Sequence, residues 1–191
     1  MNTKTNLVRA YAGKCQARMH YEIAANIAKK QKLPMVEQML TFTAKQEKEH
    51  AEIFYKHLQT ICKEETISIE VKYLIETQEE LVYLLEKIAT HKYEEATSTY
   101  PNFAAEAKEE GYVDVASSFM MLADIEKSLH ERFIKYKGWL ETETLFTGED
   151  TQTWTCLNCG FIYEGSKAPE ACPSCKHEQG YYIRLADAPF G

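Results

Sequence analysis

Four apolar stripes run through the first 140 residues, and each is broken near its middle by charged side chains. The first is Leu7, Tyr11, Lys14, Arg18, Tyr21, Ala25 and Ala28, and the second is Val36, Leu40, Thr43, Glu47, His50, Phe54, His57 and Ile61. Leu81, Leu84, Ile88, Lys92 and Glu95 form the third, and Val115, Phe119, Leu122, Glu126, Leu129, Phe133, Tyr136 and Leu140 the fourth. Steps of three and four place each set on one helix face. Four such helices bury their stripes against one another, so the long part of the chain is expected to be a four-helix bundle. Pro34 suits the start of the second helix, where its missing N–H costs little. Thr77 and Glu80 make a capping box for the third, Tyr100-Pro101 is expected to interrupt it, and a short helical turn follows to Gly111. KEETISIEV reads as a loop or short extended piece.

The interruptions carry the chemistry. Lys14, Arg18, Glu47, His50, Lys92, Glu95 and Glu126 all fall at core positions. An ionised group buried alone costs several kcal/mol, so such groups are expected to be paired or to bind metal. Their coincidence on four helices predicts one polar cluster inside the bundle. Glu47 and His50 form an E-x-x-H element, with carboxylate and imidazole on one face. Glu126 and His130 are spaced i, i+4, and the position an E-x-x-H would use holds Leu129. His57 reads as a hydrogen-bonded core histidine, Cys15 as a small buried hydrophobe, and His20, His91 and His177 as surface residues.

The tail has a different logic. Cys156, Cys159, Cys172 and Cys175 make C-x2-C-x12-C-x2-C, whose close pairs form two knuckles completing a tetrahedral all-sulfur metal site. Iron and zinc both accept that ligand set. The expected organisation is a bundle over 1–140, a polar linker over 141–153 and a four-cysteine domain over 154–191, with Trp154 and Phe190 available for a small aromatic core. Lys and Arg number 22 against 29 Asp and Glu, a net charge of −7, which argues against a nucleic-acid partner. No stretch approaches the roughly 18 uncharged apolar residues of a membrane span, and the start lacks the apolar core of a signal peptide. A cytoplasmic location is expected.

The stretches AYAGKCQARMHY, TAKQEKEHAEIF, YPNFAAEAKEEGY, IEKSLHERF and WTCLNCGFIYEGSKAPEACPSCKH, in this order, resemble the rubrerythrins. The resemblance implies a mainly α chain, a ferritin-like four-helix bundle followed by a small rubredoxin-like metal-binding β/turn domain. It also implies a di-iron centre in the bundle and a rubredoxin-type iron, one per chain, with zinc as the other occupant. Hydrogen peroxide reduction in oxidative-stress defence is the implied activity. Electrons would come from an NAD(P)H-dependent reductase or another redox protein, and the chain would form a homodimer or larger assembly.

Carried over position by position, the implied di-iron ligands are incomplete. Lys14 stands in AGKCQAR where the family has A-G-E-S-Q-A-R, Lys92 replaces the first Glu of an E-x-x-E, and Leu129 replaces a His. Glu47, His50, Glu95 and Glu126 match. Tyr21 and Tyr100 match tyrosines near the family's iron site. Two ammonium groups are thus expected where two metal ions would sit, paired with the remaining carboxylates. Rebuilding the site would need Glu22 from the first helix, or His130 turned inward by a π-bulge in the fourth. The expected function is one-electron transfer through a tetrathiolate iron; a peroxidase with a rebuilt di-iron site and a structural zinc ribbon are the alternatives.

Overall fold

The computed structural model describes residues 2–70 and 80–188. The capping box at Thr77, the last residue of KEETISIEV and Phe190 lie outside them. The chain is mainly α. Helices α1 (Thr3–Lys30) and α2 (Pro34–Cys62) form one antiparallel hairpin, with Pro34 in the first turn of α2. Helices α3 (Leu81–Glu94), α4 (Tyr100–Glu109) and α5 (Val113–Glu141) form the other half of the bundle. Residues 63–70 have no regular structure, as the β-branched loop reading expects.

Tyr100-Pro101 does not interrupt the third rod, contrary to expectation. A π-helical segment, Glu95–Thr99, carries the chain from α3 into α4, and the Tyr100 N–H donates to the Glu95 carbonyl five residues back. A proline ring normally clashes with the carbonyl four residues earlier, and the wider turn relieves that conflict without a break.

The charged stripe residues divide the bundle core into two apolar halves. One half holds Tyr21, Leu40, Leu85 and Phe133. The other holds Leu7, Phe54, Tyr100 and Phe119. Lys14, Glu47, Lys92 and Glu126, all fully buried, lie between these halves along their helices. Arg18 does not join them. It is exposed and pairs with Glu22 at 2.9 Å, while Ala17 takes the inward position. The buried face of α1 steps three then four, through Leu7, Ala10, Lys14, Ala17, Tyr21, Ala24 and Ala28, so position 17 rather than 18 points inward and the long Arg18 chain reaches water. Cys15 is also exposed rather than buried, on the side of α1 away from the core.

The tail is a three-stranded antiparallel sheet in the order β2-β1-β3, with β1 Thr147–Cys156, β2 Ile162–Lys167 and β3 Tyr182–Arg184. Much of the stretch read as linker is therefore strand: β1 begins only six residues after α5 ends at Glu141. The sheet docks on the bundle, where Leu145 and Ile183 join the first apolar half. The Arg184 guanidinium lies 3.9 Å from the Trp139 ring centre and 5.0 Å from that of Trp154, and donates to the carbonyls of Leu145, Thr144 and Thr147. A side chain at Gly180 would meet the Lys32 carbonyl at 2.6 Å, so glycine is required for this close approach.

Candidate metal centre and buried charge cluster

Cys156 and Cys159 flank the turn after β1, and Cys172 and Cys175 flank a second turn before β3. The Sγ atoms of Cys156 and Cys175 are 3.8 Å apart and those of Cys159 and Cys172 are 3.7 Å apart. A metal–sulfur bond of about 2.3 Å implies a tetrahedron edge of about 3.8 Å, so the four thiols fit one tetrahedral ion. Backbone N–H groups of the knuckles point at the sulfurs: Asn158 and Cys159 at Cys156, Phe161 at Cys159, Ser174 and Cys175 at Cys172, and His177 at Cys175. Burial pushes the Cys156 thiol up to about 12. The His177 N–H, outweighing burial, pulls Cys175 down to about 6. A thiolate is the ligating form, so at least one ligand is ready near neutral pH. Trp154 and Tyr182, both fully buried, form the floor of the site with Cys156 and Cys172.

The bundle cluster is built from the other polar residues. Lys14 Nζ lies 3.3 Å from Glu47 Oε2, 2.9 Å from Glu95 Oε2 and 2.5 Å from Glu126 Oε1. Lys92 Nζ lies 2.7 Å from Glu47 Oε1, 2.8 Å from Glu95 Oε2 and 2.7 Å from Glu126 Oε2. Each ammonium has three N–H donors, and each faces all three carboxylates. Not every contact is a well-directed hydrogen bond: Glu47 Oε2 and Glu126 Oε2 are close to an ammonium but off the donor direction. Tyr21 donates to Glu47 at 3.3 Å and Tyr100 to Glu95 at 3.0 Å. Each tyrosine ring also lies under an ammonium, Tyr100 at 5.1 Å from Lys14 and Tyr21 at 5.7 Å from Lys92.

The arrangement repeats across the bundle. Lys14, Tyr21 and Glu47 of the first hairpin answer to Lys92, Tyr100 and Glu126 of the second. Lys14 and Tyr21 are seven residues apart, Lys92 and Tyr100 eight, and the π turn absorbs the extra residue. His50 answers to Leu129 and Ala17 to Glu95, so the two halves differ where the first has its imidazole and the second its third carboxylate.

Burial opposes charge throughout the cluster, and the pairing overrides it. Desolvation raises Glu47 and Glu95, but Lys14 and Lys92 hold both well below the usual carboxylate range. Desolvation lowers Lys92, yet Tyr21 and the three carboxylates leave it well above the ordinary ammonium value. Three carboxylates against two ammoniums leave one negative charge in excess. It shows at Glu126, where burial, with Glu95 and Glu47, outweighs the lysines and raises the carboxyl.

His50 Nδ1 lies 3.5 Å from Glu47 Oε2 and 3.6 Å from Glu126 Oε1. Glu47, His50 and Glu126 offer ligand atoms within 4.8 Å of one another and could hold a metal ion. Those same carboxylates face Lys14 and Lys92, so a cation could enter only by displacing ammonium groups or stripping their protons. The family's two-metal site does not fit these residues. Neither rescue operates. Glu22 is turned outward to Arg18. His130 binds the Ala89 carbonyl through Nδ1 at 2.8 Å and lies against the Tyr93 ring in a tilted contact, and α5 runs without a π turn. His57 hydrogen-bonds Ser118 at 2.8 Å.

Comparison with known proteins agrees with both halves. The rubrerythrin family model matches residues 5–137, and the rubredoxin-like domain model of rubrerythrins matches 154–183. The chain belongs to the rubrerythrin family. It is 37% identical to a rubrerythrin of Clostridium perfringens over 94% of this chain and 92% of that one. A rubrerythrin of Porphyromonas gingivalis is 34% identical over 94% and 88%. Among solved structures, fully reduced nigerythrin superposes with a TM-score of 0.63 at 23% identity, covering 95% of this chain and 86% of that one, which supports the fold. No helix among the described residues is long and apolar enough to cross a membrane.

Proposed function

We propose that this rubrerythrin-family chain is a one-electron carrier in which Cys156, Cys159, Cys172 and Cys175 hold a single iron. In this reading the bundle is closed by salt bridges in place of a di-iron centre. One observation carries it: the Lys14 and Lys92 ammoniums each lie within 3.3 Å of all three buried carboxylates. Every carboxylate that would ligate a metal is committed to a fixed cation.

An iron held by the four thiolates supplies one-electron chemistry with no free coordination position. The chain's own part is to fix the sulfurs and to soften their charge with knuckle N–H groups. It also leaves one edge accessible, and Cys159, exposed while Cys156 and Cys172 are buried, marks that edge. An NAD(P)H-dependent reductase or another redox protein would exchange electrons there. A cytoplasmic homodimer or larger assembly completes the proposal.

The test is metal content per chain on the full-length protein purified anaerobically, with a visible spectrum of the same sample. About one iron and a rubredoxin-like red colour are expected. About two would put a metal at Glu47, His50 and Glu126, and about three would restore the di-iron peroxidase; either result sinks the salt-bridge reading. Zinc alone would make the tail structural. The triple variant Lys14→Glu, Lys92→Glu, Leu129→His should gain two irons and peroxide-reducing turnover. If it folds but binds no further iron, the position-by-position correspondence is wrong.

A further inference from the structure

Where the sheet docks on the bundle it leaves a cleft of about 790 Å³ between α2, α5 and the first cysteine knuckle. That size suits a cofactor-sized molecule, and domain junctions are common places for such sites. One wall is apolar, made by Met39 and Phe42 of α2 with Leu157 and Ile183 of the sheet domain. Leu157 follows Cys156 directly, so this wall is also the flank of the four-cysteine site.

The same cleft holds polar groups with capacity to spare. Arg132 is half-buried, and it spends one guanidinium nitrogen on neutral acceptors, Thr43 Oγ1 and Gln46 Oε1, both at 3.0 Å. No carboxylate among the described residues lies within ion-pair distance of it, and burial lowers its pKa. A guanidinium has five N–H donors, and among the described residues the remaining ones have no protein acceptor, while its carbon lies 5.9 Å from the Phe42 ring centre. Tyr136 stands beside it, only 4% exposed, and its hydroxyl makes no hydrogen bond among the described residues. The cleft's other charges are mostly neutralised in pairs: Lys135 with Asp187, and Glu37 with Lys29 at 3.6 Å. Lys45 and Glu131 sit exposed at the rim. Over the whole lining the charges balance, Glu37, Glu131 and Asp187 against Lys45, Arg132 and Lys135, so the attraction for an anion is local to Arg132.

We propose that this cleft binds a planar aromatic anion, its phosphate held by Arg132 and Tyr136 and its ring lying against Met39, Phe42 and Leu157. A half-buried guanidinium that has no carboxylate partner among the described residues and lies beside an apolar wall is what such a molecule complements: an acid group for the free N–H donors and a flat body for the wall. The site does not depend on the iron reading, since none of its residues ligates metal.

The experiment is a titration of full-length metal-loaded protein with flavin mononucleotide, read by quenching of flavin fluorescence. Riboflavin, which has the ring without the phosphate, and inorganic phosphate, which is the acid without the ring, are run beside it. Saturable 1:1 binding of the mononucleotide is expected, at least tenfold tighter than either fragment. Arg132→Ala should weaken it at least tenfold and Tyr136→Phe severalfold. Lys45→Glu changes an exposed rim residue that packs against nothing in the core, and should weaken binding while helical content and melting temperature stay unchanged. It therefore keeps the test valid even if Arg132→Ala unfolds. No saturable binding, equal binding of riboflavin, or an Arg132→Ala variant that folds and binds as tightly would each overturn the proposal.

Discussion

Lys92→Met removes one ammonium from the bundle cluster while keeping most of its volume. Three contacts are lost, at 2.7, 2.8 and 2.7 Å to Glu47, Glu95 and Glu126. Each is worth about 6 kcal/mol at an effective dielectric near 20, before desolvation is counted. Most of that gain offsets the cost of taking the charges out of water, so the measurable loss is that of a broken buried pair, about 3–5 kcal/mol. At about 2–4 °C per kcal/mol for a chain of this size, the melting temperature should fall by roughly 6–20 °C. The assay is thermal unfolding at neutral pH, followed by the helical circular-dichroism signal. The double variant Lys92→Met, Glu95→Gln removes one of the stranded carboxylates and should recover a large part of the loss. A fall of less than about 3 °C would refute the argument, because it would mean the carboxylates carry no charge that Lys92 must balance.

Three further outcomes follow from the same geometry. Tyr100→Phe removes the 3.0 Å donor to Glu95 and should cost about 1.5–3 kcal/mol, more than Tyr21→Phe, whose bond to Glu47 is longer at 3.3 Å; paired melting curves check the order. Stability should depend on pH in two opposite limbs, measured by denaturant titration across the range. Glu47 and Glu95 are depressed in the fold, so their contribution is present above the unfolded value of about 4.3 and is lost only as pH falls well below it. Glu126 is raised and acts in the opposite sense, losing its contribution as pH climbs through its folded value, which blunts the acid limb. Lys92, Tyr21 and Tyr100 are raised, so their contribution is full below about pH 10 and is lost as pH rises beyond it. Finally, Cys172→Ser should abolish the metal-bound visible spectrum yet leave the helical signal largely intact, since the buried charge cluster and both apolar halves of the bundle draw mainly on the helices. Loss of the helical signal with the colour would show instead that the docked sheet holds the bundle together.

Much of this was legible before any tertiary structure. The spacing of Leu7, Leu40, Leu81 and Phe119 marked the inward faces, and Lys14 and Lys92 could be recognised as buried because they interrupt those faces in register with Glu47 and Glu126. The same pattern misplaces Arg18, because a step of four from Lys14 and a step of three are both compatible with one helix face, and packing takes the small Ala17 inward. Cys15 was misread because a thiol gives no periodic signal of its own. Pro101 looked like a break because the proline rule assumes an α-helical partner four residues back, and a π turn removes that partner. Arg132 carried no signal and Tyr136 was legible only as an inward stripe position; what joins them is a cleft that Leu157 and Ile183 complete from far along the chain.

The sequence by itself determined what is local or periodic: four inward faces, two cysteine knuckles, and the count of three carboxylates against two ammoniums. These survive because helical period and knuckle spacing are properties of a short stretch of chain. Tertiary structure alone decided that both ammoniums reach all three carboxylates, that the π turn brings Lys92, Glu95 and Tyr100 inward together, and that the sheet stops on Pro34 and Trp139 with a cleft beside it. Such facts depend on distances of a few ångströms between segments far apart in the chain. They are set by how close-packed helices and a docked sheet settle against one another, and no local pattern encodes that.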